Sequence, residues 1–192
     1  MNINKLFEQI EEYALENNVP IMKKDAIDYI CNFITKKNIK NVLEIGTAIC
    51  YSALKMANVN ASVVTIERDE EREIKAKENL SLSGFKNIEL LFGDALEINI
   101  NGKFDLILID AAKGQNKRFL NKYKSNLNEQ GYIIIDNIDF HGLVGKSSEI
   151  KSKNLRSLVR KIEDFLTYLK EQNEFKVSKI NVGDGLILLE RI

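Results

Sequence analysis

The sequence predicts an α/β fold: a mostly parallel, seven-stranded sheet with helices on both faces and an antiparallel hairpin at its C-terminal end. Three observations predict it. Short β-branched runs bounded by Gly and polar residues recur along the chain, and such runs are buried strands. Amphipathic segments alternate with them, as in βα units joined by right-handed crossovers. Near the C-terminus two strand-like runs flank Gly183-Asp184-Gly185, a hairpin signal.

Taken in order, Leu6, Phe7, Ile10 and Ala14 recur at helical spacing, and so do Ile27, Ile30 and Ile34, giving N-terminal helices over 1–38. Strands are expected at Asn41–Gly46, Ser62–Glu67, Ile88–Phe92, Phe104–Asp110 and Tyr132–Asp136. A helix starts at about Ser52, and polar helical segments fill Asp69–Ser83 and Lys117–Leu127. The apolar positions Leu155, Leu158, Val159, Ile162, Phe165, Leu166 and Leu169 make a clear amphipathic helix. Phe175–Ile180 and Leu186–Glu190 then form the hairpin. No repeat or low-complexity linker interrupts the chain. Its 192 residues read as a single domain, 1–192, with a Rossmann-like core over 39–192.

Lys plus Arg equals Asp plus Glu at 28 each, so no global field announces a nucleic-acid or membrane partner. Cys31 and Cys50 are too few for a disulfide framework and suit a reducing compartment. Met1 to Gln9 lacks the basic start and apolar core of a signal peptide, and no run approaches a membrane span. A soluble, cytoplasmic protein is the expectation.

The chemistry concentrates at strand ends. Asp110 and Asp136 each close an apolar run, and Asn137 follows the second. A carboxylate there stands on the sheet's carboxyl edge, where open α/β sheets bind ligands. Two carboxylates and an amide oxygen are hard oxygen donors of the kind Mg2+ accepts. Lys113, one turn past Asp110, adds a candidate base whose pKa a neighbouring dication would depress. The first strand ends in Glu44-Ile45-Gly46-Thr47, where a glycine lets the backbone pass close to a ligand. The second ends in Glu67, placed for a ribose diol. Gly93-Asp94-Ala95 after the third borders an adenine ring or forms a turn. Together these three strand ends point to an adenosyl cofactor lying across the carboxyl edge.

Glu44-Ile-Gly-Thr-Ala-Ile-Cys-Tyr-Ser52, Asp110-Ala-Ala-Lys113 and Asp136-Asn137 together resemble the cation-dependent O-methyltransferases of the catechol and caffeoyl-CoA type. Within that group the chain looks most like the bacterial tRNA 5-hydroxyuridine methyltransferases. Asp110-Ala-Ala-Lys-Gly-Gln115, Gly142-Leu-Val144, Leu158-Val-Arg-Lys-Ile162 and Gly183-Asp184-Gly185 carry that likeness. The resemblance implies a class I methyltransferase fold, S-adenosylmethionine as cofactor, a divalent cation and a homodimer. It implies Asp110, Asp136 and Asn137 as metal ligands and Lys113 as base. Met22, Glu44, Gly46, Thr47, Ser52, Glu67 and Ala95 match cofactor-lining positions, and Asp110 matches a cofactor contact near the methionine end. Cys50 departs from the glycine usual in relatives, and a residue with a Cβ restricts φ there.

Charge placement bears on the acceptor. Lys113, Lys117, Arg118, Lys122 and Lys124 occur without one acid in Ala111–Asn126, and Lys146, Lys151, Lys153, Arg156, Arg160 and Lys161 face only Glu149. Both clusters leave the carboxyl edge, so they form either a positive rim for a phosphate backbone or solvated helix faces. tRNA is the expected partner, with neither membrane nor DNA expected. The rivals are a catechol or caffeoyl-CoA-like acceptor and a non-catalytic RNA-binding module. His141 reads as a turn or substrate-loop residue, and Tyr51 and Phe140 as stacking or packing residues.

Overall fold

The computed structural model describes residues Asn2–Ile192. Two helices, α1 (Ile3–Glu16) and α2 (Lys24–Lys37), precede the sheet. There follow β1 (Asn41–Ile45), α3 (Tyr51–Asn58), β2 (Ser62–Glu67), α4 (Glu70–Ser83), β3 (Ile88–Phe92), β4 (Phe104–Ile109) and α5 (Asn116–Tyr123). Then come β5 (Leu127–Ile135), α6 (Lys153–Glu171), β6 (Phe175–Ile180) and β7 (Leu186–Arg191). Side chains fix several helix starts. Asn2, Asp69 and Ser152 each accept a hydrogen bond from a backbone N–H in the first turn of α1, α4 and α6.

The strand order is β3-β2-β1-β4-β5-β7-β6. β1 to β5 pair in parallel, and β7 is antiparallel to both β5 and β6. Successive strand residues point to opposite faces, and the two cores follow that alternation. Val42, Leu106, Leu108 and Ile134 pack under α1 to α4. Leu43, Ile107, Ile133 and Ile135 pack under α5 and α6, with Phe119, Tyr123 and Phe165.

Two sequence expectations are corrected. The helix expected over Lys117–Leu127 ends at Tyr123, a single 3-10 turn covers Lys124–Asn126, and Leu127 already belongs to β5. Leu127 pairs with Phe104 and is buried, so tertiary pairing overrides the helical pattern there. Asp110 and Asp136 each stand one residue beyond their strand, where backbone bonds still tie them to the neighbouring strand.

The order reverses between β1 and β4, and this switch point sets the site. Backbone bonds continue past the strand ends: Gly46 N–H donates to Ile66 C=O at 3.1 Å, Asp110 N–H to Ile45 C=O at 2.9 Å, and Asp136 N–H to Ile109 C=O at 3.1 Å. Gly46 adopts φ 101°, and a Cβ there would lie 2.2 Å from the carbonyl oxygen of Asp110. Only glycine fits both the backbone and the space. Gly46→Ala should therefore lower the unfolding free energy by roughly 3 kcal/mol through strain and overlap. An unchanged urea midpoint would mean that the β1–β4 approach has slack.

Candidate active site

A cavity of about 360 Å³ opens on the carboxyl edge, within the range of small-molecule sites. One half is built by the ends of β1, β2 and β3. Gly46 and Thr47 line it from the loop after β1, Ser52 from the first turn of α3, Glu67 from the end of β2, and Gly93 to Ala95 from the loop after β3. Phe119 of α5 closes this half from the other face of the sheet.

Glu67 organises the loops around it. Its Oε2 accepts the N–H of Ala48 at 2.7 Å, and its Oε1 accepts those of Arg68 and Asp69 at 2.9 Å each. A carboxylate has about four acceptor positions, so roughly one remains for a ligand hydroxyl. Cys50 keeps a left-handed backbone at φ 72° although it carries a side chain, and its thiol is fully buried. Burial pushes that thiol pKa far up, consistent with an inert packing residue.

Glu44 lies a layer deeper than the cofactor-lining position the resemblance implies. It is fully buried and accepts hydrogen bonds from Ser52 Oγ and Thr65 Oγ1, both at 2.5 Å. Thr65 Oγ1 in turn lies 2.5 Å from Thr47 Oγ1. Glu44 thus orients two pocket residues from beneath. Burial pushes its carboxyl up to about 7 against the opposing pull of the two hydroxyls.

The other half of the cavity holds Asp110, Lys113, Asp136 and Asn137 together, as expected from the sequence. Lys113 Nζ donates to Asp110 Oδ1 at 2.7 Å. Asn137 has φ 60°, a conformation Asn tolerates, and both Asp136 and Asn137 line the cavity. Burial, then the negative charge of Asp110, raises the Asp136 carboxyl to about 7, with Lys113 opposing. Among the described residues, buried side-chain atoms without a hydrogen-bond partner occur on Asp136, Asn137 and Asn116. On Asp136 and Asn137 they are Oδ1 atoms, each an acceptor lacking a donor. A divalent cation satisfies that deficit, so the donor set fits one. No cluster of three or more His, Cys, Asp or Glu suited to a metal occurs among the described residues.

Sequence reasoning missed several wall residues. Pro20, Ile21 and Lys23 join Met22 on one side, Asp184 of the β6–β7 turn lies on another, and Arg68, Arg72 and Phe119 complete the lining. The Gly183-Asp184-Gly185 motif marked Asp184 as a turn, without signalling that the turn reaches the site. The rim residues Lys117, Arg118, Lys146 and Arg160 are exposed and Arg156 is half-buried. Arg156 and Arg160 share a shallow cleft on α6 with Lys153, Lys161 and Asp164. The segment before α6 is docked on that helix by Glu163, which accepts from Gly145 N–H at 2.8 Å and Ser147 Oγ at 2.6 Å. The side chain of His141 lies outside the described part of the chain.

The family model for O-methyltransferases matches residues 2–192. The chain belongs to the O-methyltransferase family. A caffeoyl-CoA O-methyltransferase-like protein of Staphylococcus aureus superimposes on this family member with a TM-score of 0.91 at 37% identity, covering 97% of this chain and 92% of that one. A caffeoyl-CoA O-methyltransferase-like protein of Arabidopsis thaliana is 25% identical over 186 residues, 92% of this chain and 79% of its own length. An O-methyltransferase of Bacillus cereus, solved with S-adenosylhomocysteine, shares the fold at 22% identity with a TM-score of 0.83, covering 98% of this chain and 91% of that one.

The raised acids of this O-methyltransferase predict a pH signature. A carboxyl whose folded pKa lies above its unfolded value binds extra protons when folded, so stability is fully present at low pH. It is lost as pH climbs from about 4 towards about 7. In metal-free protein, unfolding free energy at pH 7.5 should be lower than at pH 5 by on the order of 2 kcal/mol. Asp136→Asn should flatten part of that slope in urea titrations. A slope untouched by the substitution would show that Asp136 ionises as an ordinary acid.

Proposed function

We propose that this S-adenosylmethionine-dependent O-methyltransferase uses a divalent cation, Mg2+ by its oxygen donors. Its proposed acceptor is the 5-hydroxyl of 5-hydroxyuridine at the tRNA wobble position, giving 5-methoxyuridine. The observation that carries the cation reading is the pair of unpartnered, buried oxygens on Asp136 and Asn137 beside Asp110. The family, the carboxyl-edge cavity and the S-adenosylhomocysteine held by the Bacillus cereus neighbour support the cofactor.

In this reading Asp110, Asp136 and Asn137 hold the cation, which when bound acidifies and orients an acceptor hydroxyl. Glu67 offers its remaining acceptor position to a ribose hydroxyl, and Ala95 and Phe119 border the adenine. Lys113 is held by Asp110 at 2.7 Å as an ammonium, and only in its neutral form, its own proton first given up to solvent, would its Nζ take the acceptor's proton. Both sets of residues line a single cavity, so a methyl donor and an acceptor hydroxyl bound there would be held close together, and proximity would carry much of the rate.

For tRNA, the support is the basic cleft of α6 and the exposed Lys117, Arg118 and Lys146, which suit phosphates. A catechol or caffeoyl-CoA-like acceptor is the second reading, favoured by the Staphylococcus aureus and Arabidopsis thaliana relatives. A non-catalytic RNA-binding module is disfavoured by the intact Asp110, Lys113, Asp136 and Asn137 set.

Labelled S-adenosylmethionine supplied with Mg2+ or EDTA tests the reading on two acceptors, tRNA containing 5-hydroxyuridine and a simple catechol. Mass spectrometry should find 5-methoxyuridine only with Mg2+, and Asp136→Ala should cut turnover by at least about 100-fold. Full activity in EDTA refutes the cation role. Methylated catechol with untouched tRNA moves the function to small molecules. Replacing Arg156 and Arg160 together by Ala should weaken tRNA use more than catechol use and lower the salt dependence. Equal losses on both acceptors would exclude α6 as the RNA surface.

A further inference from the structure

One wall of the cavity comes from a segment outside the sheet and its crossovers. Pro20, Ile21, Met22 and Lys23 join α1 to α2 without helix or strand of their own, yet all four line the cavity. Their counterpart is far away in sequence. Lys23 Nζ donates to Asp184 Oδ1 at 2.7 Å across 161 positions of chain. The next contact reinforces it: Gly183 N–H donates to Asp25 Oδ2 at 2.8 Å.

The β6–β7 turn is shaped for this meeting. Gly183 has φ 58°, and a Cβ there would lie 2.9 Å from the Cβ of Ala26, so the turn closes directly on α2. Ala26, Ile27 and Ile30 bury α2 in the core, which makes the helix a fixed anchor. The charges agree with that geometry. Lys23 is held above the ordinary lysine range, first by its bond to Asp184 and against the cost of burial, then by Asp25 and Asp136. Its ammonium is bonded to Asp184 and still more than half exposed to solvent.

We propose that the Lys23–Asp184 pair is a positioning device for the cofactor. It clamps the α1–α2 segment to the β6–β7 turn, so that Met22 and its neighbours form a standing wall against a bound S-adenosyl ligand. The proposal rests on the cofactor reading above. Lys23 acts through Asp184 and touches no reacting atom. Segments near both ends of the chain thus line the same cavity and meet at the Lys23–Asp184 contact.

Calorimetric titration with S-adenosylhomocysteine, without metal or acceptor, reads the clamp apart from turnover. Lys23→Met should weaken binding about three- to fivefold, the scale of a partly exposed ion pair. Lys23→Arg, which keeps the charge, should bind about as well as the parent chain. In an Asp184→Asn background the Lys23→Met effect should vanish, because its partner is already gone. Unchanged affinity in Lys23→Met overturns the clamp. So does a loss that persists in the Asp184→Asn background, which would mean Lys23 meets the ligand directly. Loss of affinity with a collapsed melting transition is a folding defect and also counts against it. A parent chain that binds no S-adenosylhomocysteine fails differently, since that result overturns the cofactor reading itself.

Discussion

The close approach of β1 and β4 at the switch point is the constraint on which the site depends. Gly46 sits against the carbonyl of Asp110 with no room for a side chain. Backbone bonds carry the sheet's register one residue beyond β1, β4 and β5. The cofactor loop and Asp110 are therefore placed by main-chain geometry, which is stiff, and not by flexible side chains. Asp136 inherits its place from the same ladder through Ile109. A cavity whose two halves are indexed to one set of backbone bonds suits a reaction in which alignment contributes most of the catalysis.

Electrostatics adds a second layer. Glu44 and Asp136 are buried acids with raised pKa values, but for different ends. Glu44 has its oxygens occupied by Ser52 and Thr65 and serves to hold the first loop. Asp136 keeps a buried oxygen without a donor, as does Asn137. The two buried acids thus differ in whether the fold itself satisfies their oxygens. Lys113 and Lys23 both line the cavity and supply positive charge to it, one paired with Asp110 and the other with Asp184.

The basic surface on α6 belongs to a different scale of interaction. Glu163 secures the segment that follows β5 to this helix, and Lys117 Nζ lies 4.1 Å from the Tyr168 ring centroid. Those contacts join the rim to the helix that packs over the sheet. A large anionic acceptor meeting the rim would thus be coupled mechanically to the cavity edge, whereas a small acceptor would bypass it.

The sequence by itself determined the layering and the strand ends. Short apolar runs announced every strand of the sheet, and the meeting of Asp110, Lys113, Asp136 and Asn137 at one cavity was legible because all four follow strands that end on the carboxyl edge. Local pattern was enough there, since each residue is placed by its own strand. It failed where distant segments decide. The helix expected to Leu127 stops at Tyr123 because Leu127 pairs with Phe104, and pairing across the sheet is invisible to local periodicity. Glu44 appeared as a pocket residue, but three-dimensional packing placed Ser52 and Thr65 over its oxygens. Lys23 and Asp184 could not have been matched from sequence at all. Their contact exists only once the helices have packed on the sheet and the C-terminal hairpin has paired with β5, because tertiary structure alone brings the two ends of the chain to the same edge.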